Sequence, residues 1–502
     1  MLAAISSATV WGVRGRAVVV EVHVGAGLPG YHIVGLPDEA CRESRDRVRA
    51  ALLSSGFKWP DSRITVNLAP SAVRKGGSGL DLPIAVGILV ATGELKPAAV
   101  DGVGFLAELG LDGSLRGVAG VAPMVLAIHA TSVVVAPENA AEADAVAGIA
   151  RSCAVRQAID LADVVACLRG EQPWPPPPPT RAEPLVVGPD LAEVRGHPLA
   201  RLALEVAAAG EHHLLMIGPP GSGKTMLARR LPGLLPGLSH ADALEVMLVH
   251  SAAGLADGGY VPTRPPFRAP HHSASMVSLV GGGTALMRPG EVSLAHRGVL
   301  FLDELAEFPS FVLDALRQPL EDGAIQISRA RGSVNLPARV LLVAATNPCA
   351  CGEAGEPGRC RCSDMSRLRY NRRISGPLLD RFDLRIQVAR ADPTQLMTNT
   401  AGEATDVVAG RVRRAREAAA SRGIRANSEL QLVDLDVAGD LSAGAHRALT
   451  RALSLGLLSA RGLVRVRRVA RTLADLGGRD SVDEDDVMLA THLRSAALEV
   501  AA

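Results

Sequence analysis

The apolar run Leu214 to Ile217 passes directly into Gly218-Pro219-Pro220-Gly221-Ser222-Gly223-Lys224-Thr225, and Met226 opens the helical pattern that follows. A G-x-x-x-x-G-K-[ST] segment between a strand and a helix commits the surrounding chain to an α/β layer. The glycines permit a tight turn that aims backbone N–H groups at phosphate oxygens, at the positive end of the next helix. Lys224 supplies charge to the β and γ phosphates, and Thr225 offers a hydroxyl to Mg2+. Only four of the 53 basic residues are lysine (Lys58, Lys75, Lys96 and Lys224), so a chain that otherwise uses arginine carries lysine in this cradle. The motif implies a nucleoside triphosphate and leaves open which reaction it drives.

A length of 502 residues gives room for about three domains, and 48% apolar with 21% charged residues is a globular composition. The net charge of +1 excludes a global electrostatic footprint for nucleic acid, so any such contact has to be local. With 3% aromatics, extended base stacking is disfavoured. No apolar run reaches the ~20 residues needed to span a bilayer. The start, Met1 to Val10, lacks a basic region and cleavage pattern and reads as a strand, so no membrane association and a cytoplasmic location are expected. Seven cysteines, four of them between 349 and 362, fit a reduced compartment and a metal site better than a disulfide framework.

The stretch Gly170-Glu171-Gln172-Pro173-Trp174-Pro175 through Pro179 reads as a stiff proline spacer. It divides the chain into residues 1–169, a linker 170–187, an α/β core 188–392 and a helical segment 393–502. In the first part, Ala17 to Val24 and Ile64 to Leu68 read as strands, Asp38 to Ser54 as an amphipathic helix and Leu80 to Val90 as a buried one. In the core, strands are expected at Leu214 to Ile217, Gly298 to Leu302 and Val340 to Ala345. Helices are expected at Val407 to Ala420, Ala443 to Ser454, Ala460 to Leu476 and after Ser481.

Gly298-Val299-Leu300-Phe301-Leu302-Asp303-Glu304 is an apolar strand ending in two carboxylates. Beside a phosphate cradle, Asp303 suits Mg2+ and Glu304 the activation of water. The next apolar strand ends in Thr346-Asn347-Pro348, which puts the Asn347 amide where it can orient that water. This order of parts resembles the AAA+ ATPases, and in detail the magnesium-chelatase-like branch that also includes the MCM helicases. The resemblance covers nearly all of residues 188–500. It implies that Glu193 to His197, with Val194 and Arg195, lines the adenine pocket, and that Arg381 is an arginine finger reaching a neighbouring subunit. It also implies a sensor arginine in the lid at Arg461, with Arg465 as the fallback.

His271-His272-Ser273 sits in a long stretch before Asp303 and is read as an insertion loop facing the ring's pore rather than a metal site or nucleophile. Ile325 to Leu336 reads as a hairpin turning at Gly332; in this branch such a hairpin points into the channel, which makes Arg329 and Arg331 the best local phosphate contacts for DNA. Six arginines between 411 and 425 are read as a solvated helix face. Cys349-Ala350-Cys351 and Cys360-Arg361-Cys362 frame a Gly- and Pro-containing loop with little apolar material, a pattern that suits a structural Zn2+ at 349–362.

Ile64 to Pro70 and Lys75-Gly76-Gly77-Ser78-Gly79 resemble the Lon-protease-like domain, an α+β fold of the ribosomal S5 domain 2 type. Proteolysis of that type needs a lysine base on a later helix, yet no lysine occurs between Lys96 and Lys224, so a non-catalytic relative is expected. Taken end to end, the parts resemble the ComM (YifB) family. The resemblance implies an ATP- and Mg2+-dependent homo-hexamer that drives branch migration on single-stranded or branched DNA. A chelatase-type remodeller of a protein or tetrapyrrole partner is the alternative.

Overall fold

The computed structural model describes residues 2–71, 75–178, 183, 188–256, 259–283, 287–329, 332–354, 359–390, 402–438 and 440–495. Its N-terminal unit is built on a seven-stranded mixed sheet in the order Gly30–Val34, Arg63–Ala69, Arg14–Gly25, Leu2–Trp11, Val103–Leu106, Ser132–Val135, Ala154–Gln157. The two long strands form an antiparallel hairpin registered from Leu2 opposite His23 to Trp11 opposite Arg14. Their period-two pattern decides which face is covered: Val18, Val20 and Val22 are buried while Val19 and His23 look outward. All eleven residues of the helix Asp81–Ala91 are buried, including Asp81, which is tolerated there because Arg47 Nε donates to it at 2.6 Å. Glu39–Ser54 starts where expected, with the Asp38 side chain accepting from the Cys41 N–H. The helix Val121–Ala127 carries no lysine.

The core is a five-stranded parallel sheet in the order Phe267–Arg268, Val299–Leu302, Leu341–Thr346, Leu214–Ile217, Leu384–Gln387. Every residue of the three central strands is buried, which is why they read as unbroken apolar runs rather than alternating ones. The chain leaves these strands at one edge of the sheet, and the phosphate cradle, the acidic pair and Asn347 all follow strand ends there. Helices Thr405–Ser421, Leu432–Ala438, Ala443–Ser454, Ala460–Leu476 and Glu484–His492 complete the molecule. Val466, Val469, Ala470, Leu473 and Ala474 form the buried stripe of the helix Ala460–Leu476 and share one core with Leu214 and Met216. No helix among the described residues is long and apolar enough to cross a membrane.

One expectation changes, the turn of the hairpin 325–336, and two contacts are added to the sequence reading. Trp174, at the beginning of the stiff proline spacer, packs on the N-terminal core, with the Arg156 guanidinium 5.3 Å from its ring centroid. The N-terminal unit also touches the ATPase-like core directly. Trp11 Nε1 donates to the Ser333 carbonyl at 3.4 Å and Val13 joins the apolar cluster of Ile325, Val334 and Leu336. The hairpin 325–336 exists as strands Ala324–Arg329 and Gly332–Pro337, but Gly332 already pairs with Arg329 and so opens the return strand rather than forming the turn.

Candidate functional site

Gly221 and Gly223 have φ of +76° and +85°, left-handed values that a side chain would resist, so the cradle's path depends on them. The helix Lys224–Ala228 follows at once. Lys224 is folded back into the cradle: Nζ donates to the carbonyls of Gly218 at 2.6 Å and Pro219 at 2.9 Å, and to Asn347 Oδ1 at 3.3 Å. Burial lowers its pKa, and the Asp303 and Glu304 carboxylates work against that shift. Ser222 Oγ is buried without a hydrogen-bond partner, as a cradle shaped to take a polar ligand requires. Gly218 N donates to the Thr346 carbonyl at 3.1 Å, locking the P-loop strand to the strand that ends in Asn347.

Thr225 Oγ1 donates to Asp303 Oδ2 at 2.6 Å. One hydroxyl and one carboxylate, brought together from the ends of two different strands, form an all-oxygen pair that fits Mg2+. Glu304, next in sequence, has a left-handed φ of +52°, and its N–H donates to Asp303 Oδ1 at 3.0 Å. Its carboxylate lies 3.0 Å from His272 Nδ1. His272 in turn packs against the His271 ring, tilted by 34° with centroids 4.1 Å apart, and meets Phe308 edge-on. The histidine pair read as part of a pore-facing loop thus lies beside the acidic pair: after the short edge strand Phe267–Arg268 the chain turns back toward Glu304. Sequence spacing could not show this, because the residues between 268 and 303 lack a regular period.

Val194 and Arg195 line a 610 Å³ cavity with Leu202, Glu205 and Arg411. Arg230 ties this wall to the cradle's helix by donating to the Asp190 carbonyl at 2.7 Å, the Met226 carbonyl at 2.8 Å and Glu193 at 2.5 Å. The expected adenine-side residues and the cradle are thus joined through one guanidinium.

Arg381 stands elsewhere. It precedes Leu384–Gln387, whose first residue lies beside Leu214, so it flanks the edge of the sheet opposite the cradle. It is buried and held by Glu321 and the Pro377 carbonyl. A 570 Å³ cavity at that edge is lined by Arg381, Asp383, Arg465, Arg468 and Glu211. Arg461 is exposed in the first turn of its helix. One turn further, Arg465 is the residue drawn into this cavity, its guanidinium 2.5 Å from Asp383. Of the six arginines from 411 to 425, Arg411, Arg416, Arg422 and Arg425 are tied into ion pairs with Glu205, Glu211, Asp475 and Asp242, and only Arg413 and Arg414 are exposed. The solvated-face expectation is corrected accordingly.

The cysteines converge. The sulfurs of Cys349, Cys351, Cys360 and Cys362 lie within 4.8 Å of one another, with pairs at 3.4, 3.8 and 3.7 Å. All are free thiols. A tetrahedral ion with Zn–S bonds of about 2.3 Å would hold its sulfurs about 3.8 Å apart, so the donor set fits Zn2+. Backbone N–H groups of Glu353 and Arg361 hold Cys351 down to about 6, whereas burial pushes Cys349 up to about 11. Arg329 ends its strand at the hairpin tip, and Arg331 lies outside the described residues.

Residues 190–396 match the family described as magnesium chelatase, subunit ChlI; residues 20–139 match subunit ChlI of Mg-chelatase, and residues 402–494 its C-terminal part. The chain is 43% identical to the competence protein ComM of Haemophilus influenzae, over 96% of this chain and 95% of that one. It is 41% identical to the uncharacterized protein YifB of Escherichia coli K12, over 97% and 94%. A part-length similarity, 25% identical over 35% of this chain and 22% of the relative, links it to a probable DNA helicase MCM9 of Arabidopsis thaliana.

Proposed function

Because the chain belongs to the ComM (YifB) family of magnesium-chelatase-like AAA+ proteins, we propose that it is a cytoplasmic ATP-hydrolysing ring motor that drives branch migration on single-stranded or branched DNA. The observation that carries this reading is the division of charged residues between two edges of one parallel sheet. Lys224 reaches Asn347 and Thr225 reaches Asp303 at one edge, while Arg381 flanks the other. A four-residue strand spans about 13 Å, so Arg381 is out of reach of its own cradle, and completing a neighbour's would require it to exchange Glu321 for that neighbour's phosphate. A head-to-tail ring, here a homo-hexamer, satisfies every such site at once.

The residues present fit ATP and Mg2+. Gly218 to Met226 would hold the phosphates, Val194 and Arg195 the base, and Thr225 with Asp303 the Mg2+, which supplies charge neutralisation when bound. Lys224 exchanges its two carbonyl partners for phosphate oxygens. Glu304 takes the proton of the attacking water and Asn347 orients that water. Arg381 from the adjacent subunit, with Arg461 or Arg465 of the lid, stabilises the charge that develops, a contribution on the order of 10³-fold in rate. Similarity to a competence protein and, over part of the chain, to a probable DNA helicase supports DNA as the substrate. Arg329, which ends its strand, and Arg331, outside the described residues, are the proposed contacts.

The test is ATP turnover with and without single-stranded and branched DNA, together with branch migration on a three- or four-strand junction. DNA should stimulate turnover. Lys224→Ala should abolish it, and Glu304→Gln should retain nucleotide while slowing hydrolysis by about 10²- to 10⁴-fold. Turnover indifferent to every DNA would favour the second reading, a remodeller of a protein or tetrapyrrole partner, which the matched chelatase descriptions support.

A further inference from the structure

The thiolate cluster lies against the phosphate cradle. The strand Leu341–Thr346 runs out through Asn347 and Pro348 into Cys349, so a single residue separates the first thiol from the amide that reaches Lys224 Nζ. On the other flank, Gly352 has φ +80°, and a Cβ there would come within 2.5 Å of Pro220 Cδ and 2.8 Å of its Cγ. Glu353 then pairs with Arg390 at 2.6 Å, just beyond the strand Leu384–Gln387 that flanks the P-loop strand. The segment 349–353 is thereby tied to the ends of three neighbouring strands. Among its described residues from 349 to 362, only Cys349 and Gly352 are buried, so apolar packing does not hold this loop in place.

We propose that a thiophilic divalent ion of the zinc class, bound by Cys349, Cys351, Cys360 and Cys362, sets the geometry of the nucleotide cradle. The ion fixes where Cys349 and Cys351 stand; Cys349 carries Asn347 toward Lys224, and Cys351 seats Gly352 on Pro220. Metal and nucleotide sites are then coupled, and coupling is reciprocal: whatever factor the ion adds to nucleotide affinity, the nucleotide returns to metal affinity. The inference rests on reading the cradle as a nucleotide site and is independent of any action on DNA.

Full-length protein loaded with Zn2+ should release one ion per chain to a chromogenic chelator after thiol modification. Stripped under reducing conditions, it should bind a fluorescent ADP about tenfold more weakly, with affinity restored by added Zn2+. In Co2+-substituted protein, the thiolate absorption bands should shift when unlabelled ADP is added. Gly352→Ala should keep its full metal content and lose nucleotide affinity by at least about fivefold. Equal ADP affinity with and without metal, together with unmoved Co2+ bands, would overturn the proposal, and so would substoichiometric metal. If stripping unfolds the chain, the Co2+ bands and the metal-loaded Gly352→Ala protein decide the matter. Zn2+-loaded wild-type protein that binds no ADP at all would remove the reading of the cradle itself, and this proposal with it.

Discussion

The Glu304 carboxylate is held 3.0 Å from Nδ1 of His272, a residue 32 positions earlier in the chain. The carboxylate best placed to activate water therefore arrives with a partner that fixes its direction. The tilted ring contact with His271 and the edge contact with Phe308 restrict where that partner can turn.

His272→Ala should lower kcat about tenfold while leaving ADP affinity unchanged, because it frees the Glu304 side chain without touching the cradle. Steady-state turnover and equilibrium binding check the two halves separately. A rise in KM with kcat intact would assign His272 to nucleotide binding instead.

Stability should fall as pH drops from 7 toward 4. Burial holds the His213 imidazole down to about 4, against the pull of Asp383, and its Nδ1 accepts from the Leu342 N–H at 3.1 Å, which requires the unprotonated ring. The unfolded chain takes up a proton near its ordinary value of about 6.5 and the folded chain resists until about 4. The contribution, on the order of 3 kcal/mol, is thus complete above that range and lost on the way down. Urea unfolding at successive pH values measures it, and His213→Asn, which keeps an acceptor in place, should flatten the slope.

Arg416 and its exposed helix neighbours should separate stability from surface chemistry. Arg416 is buried and donates to the Ala208 carbonyl through Nη2 at 2.6 Å and to Glu211 through Nη1 at 2.9 Å. Burial would raise the Glu211 carboxyl, but Arg416 and Arg425 more than reverse it and keep it charged. Arg416→Ala leaves that charge short of a partner and should cost about 3 kcal/mol of stability. The exposed Arg413→Ala and Arg414→Ala should stay within about 0.5 kcal/mol in the same denaturant series.

Replacing Arg329 with alanine should weaken single-stranded DNA binding and reduce the slope of log affinity against log salt by about 0.7, the loss of one phosphate contact. Affinities measured between 50 and 200 mM salt, on the order of a Debye-screened regime, supply the slope. An unchanged slope would take Arg329 out of the contact surface.

Much of the fold was legible in the residues because it is written in local patterns. The period-two alternation of Arg14–Gly25, the uninterrupted apolar strands ending in Gly218, Asp303 and Asn347, and the stripe of Ala460–Leu476 all survive as elements of the structure. The four cysteines likewise converge as their spacing suggests. What the pattern mistook were side chains whose partners come from far along the chain. The lid arginines look like a solvated face until Glu205, Glu211 and Asp242 are brought beside them. That Arg156 covers Trp174 of the proline spacer is likewise invisible in the local pattern.

By itself, then, the sequence determined that this chain has a phosphate cradle with a lysine, a carboxylate pair and an amide at successive strand ends, because each is set by chemistry within a few residues. Tertiary structure alone decided that His272 holds Glu304, that Gly352 rests on Pro220, and that Arg381 stands at the far edge from Lys224. Those relationships depend on the parallel order of the five strands and on loops without a period. Both are fixed by packing between segments distant in sequence.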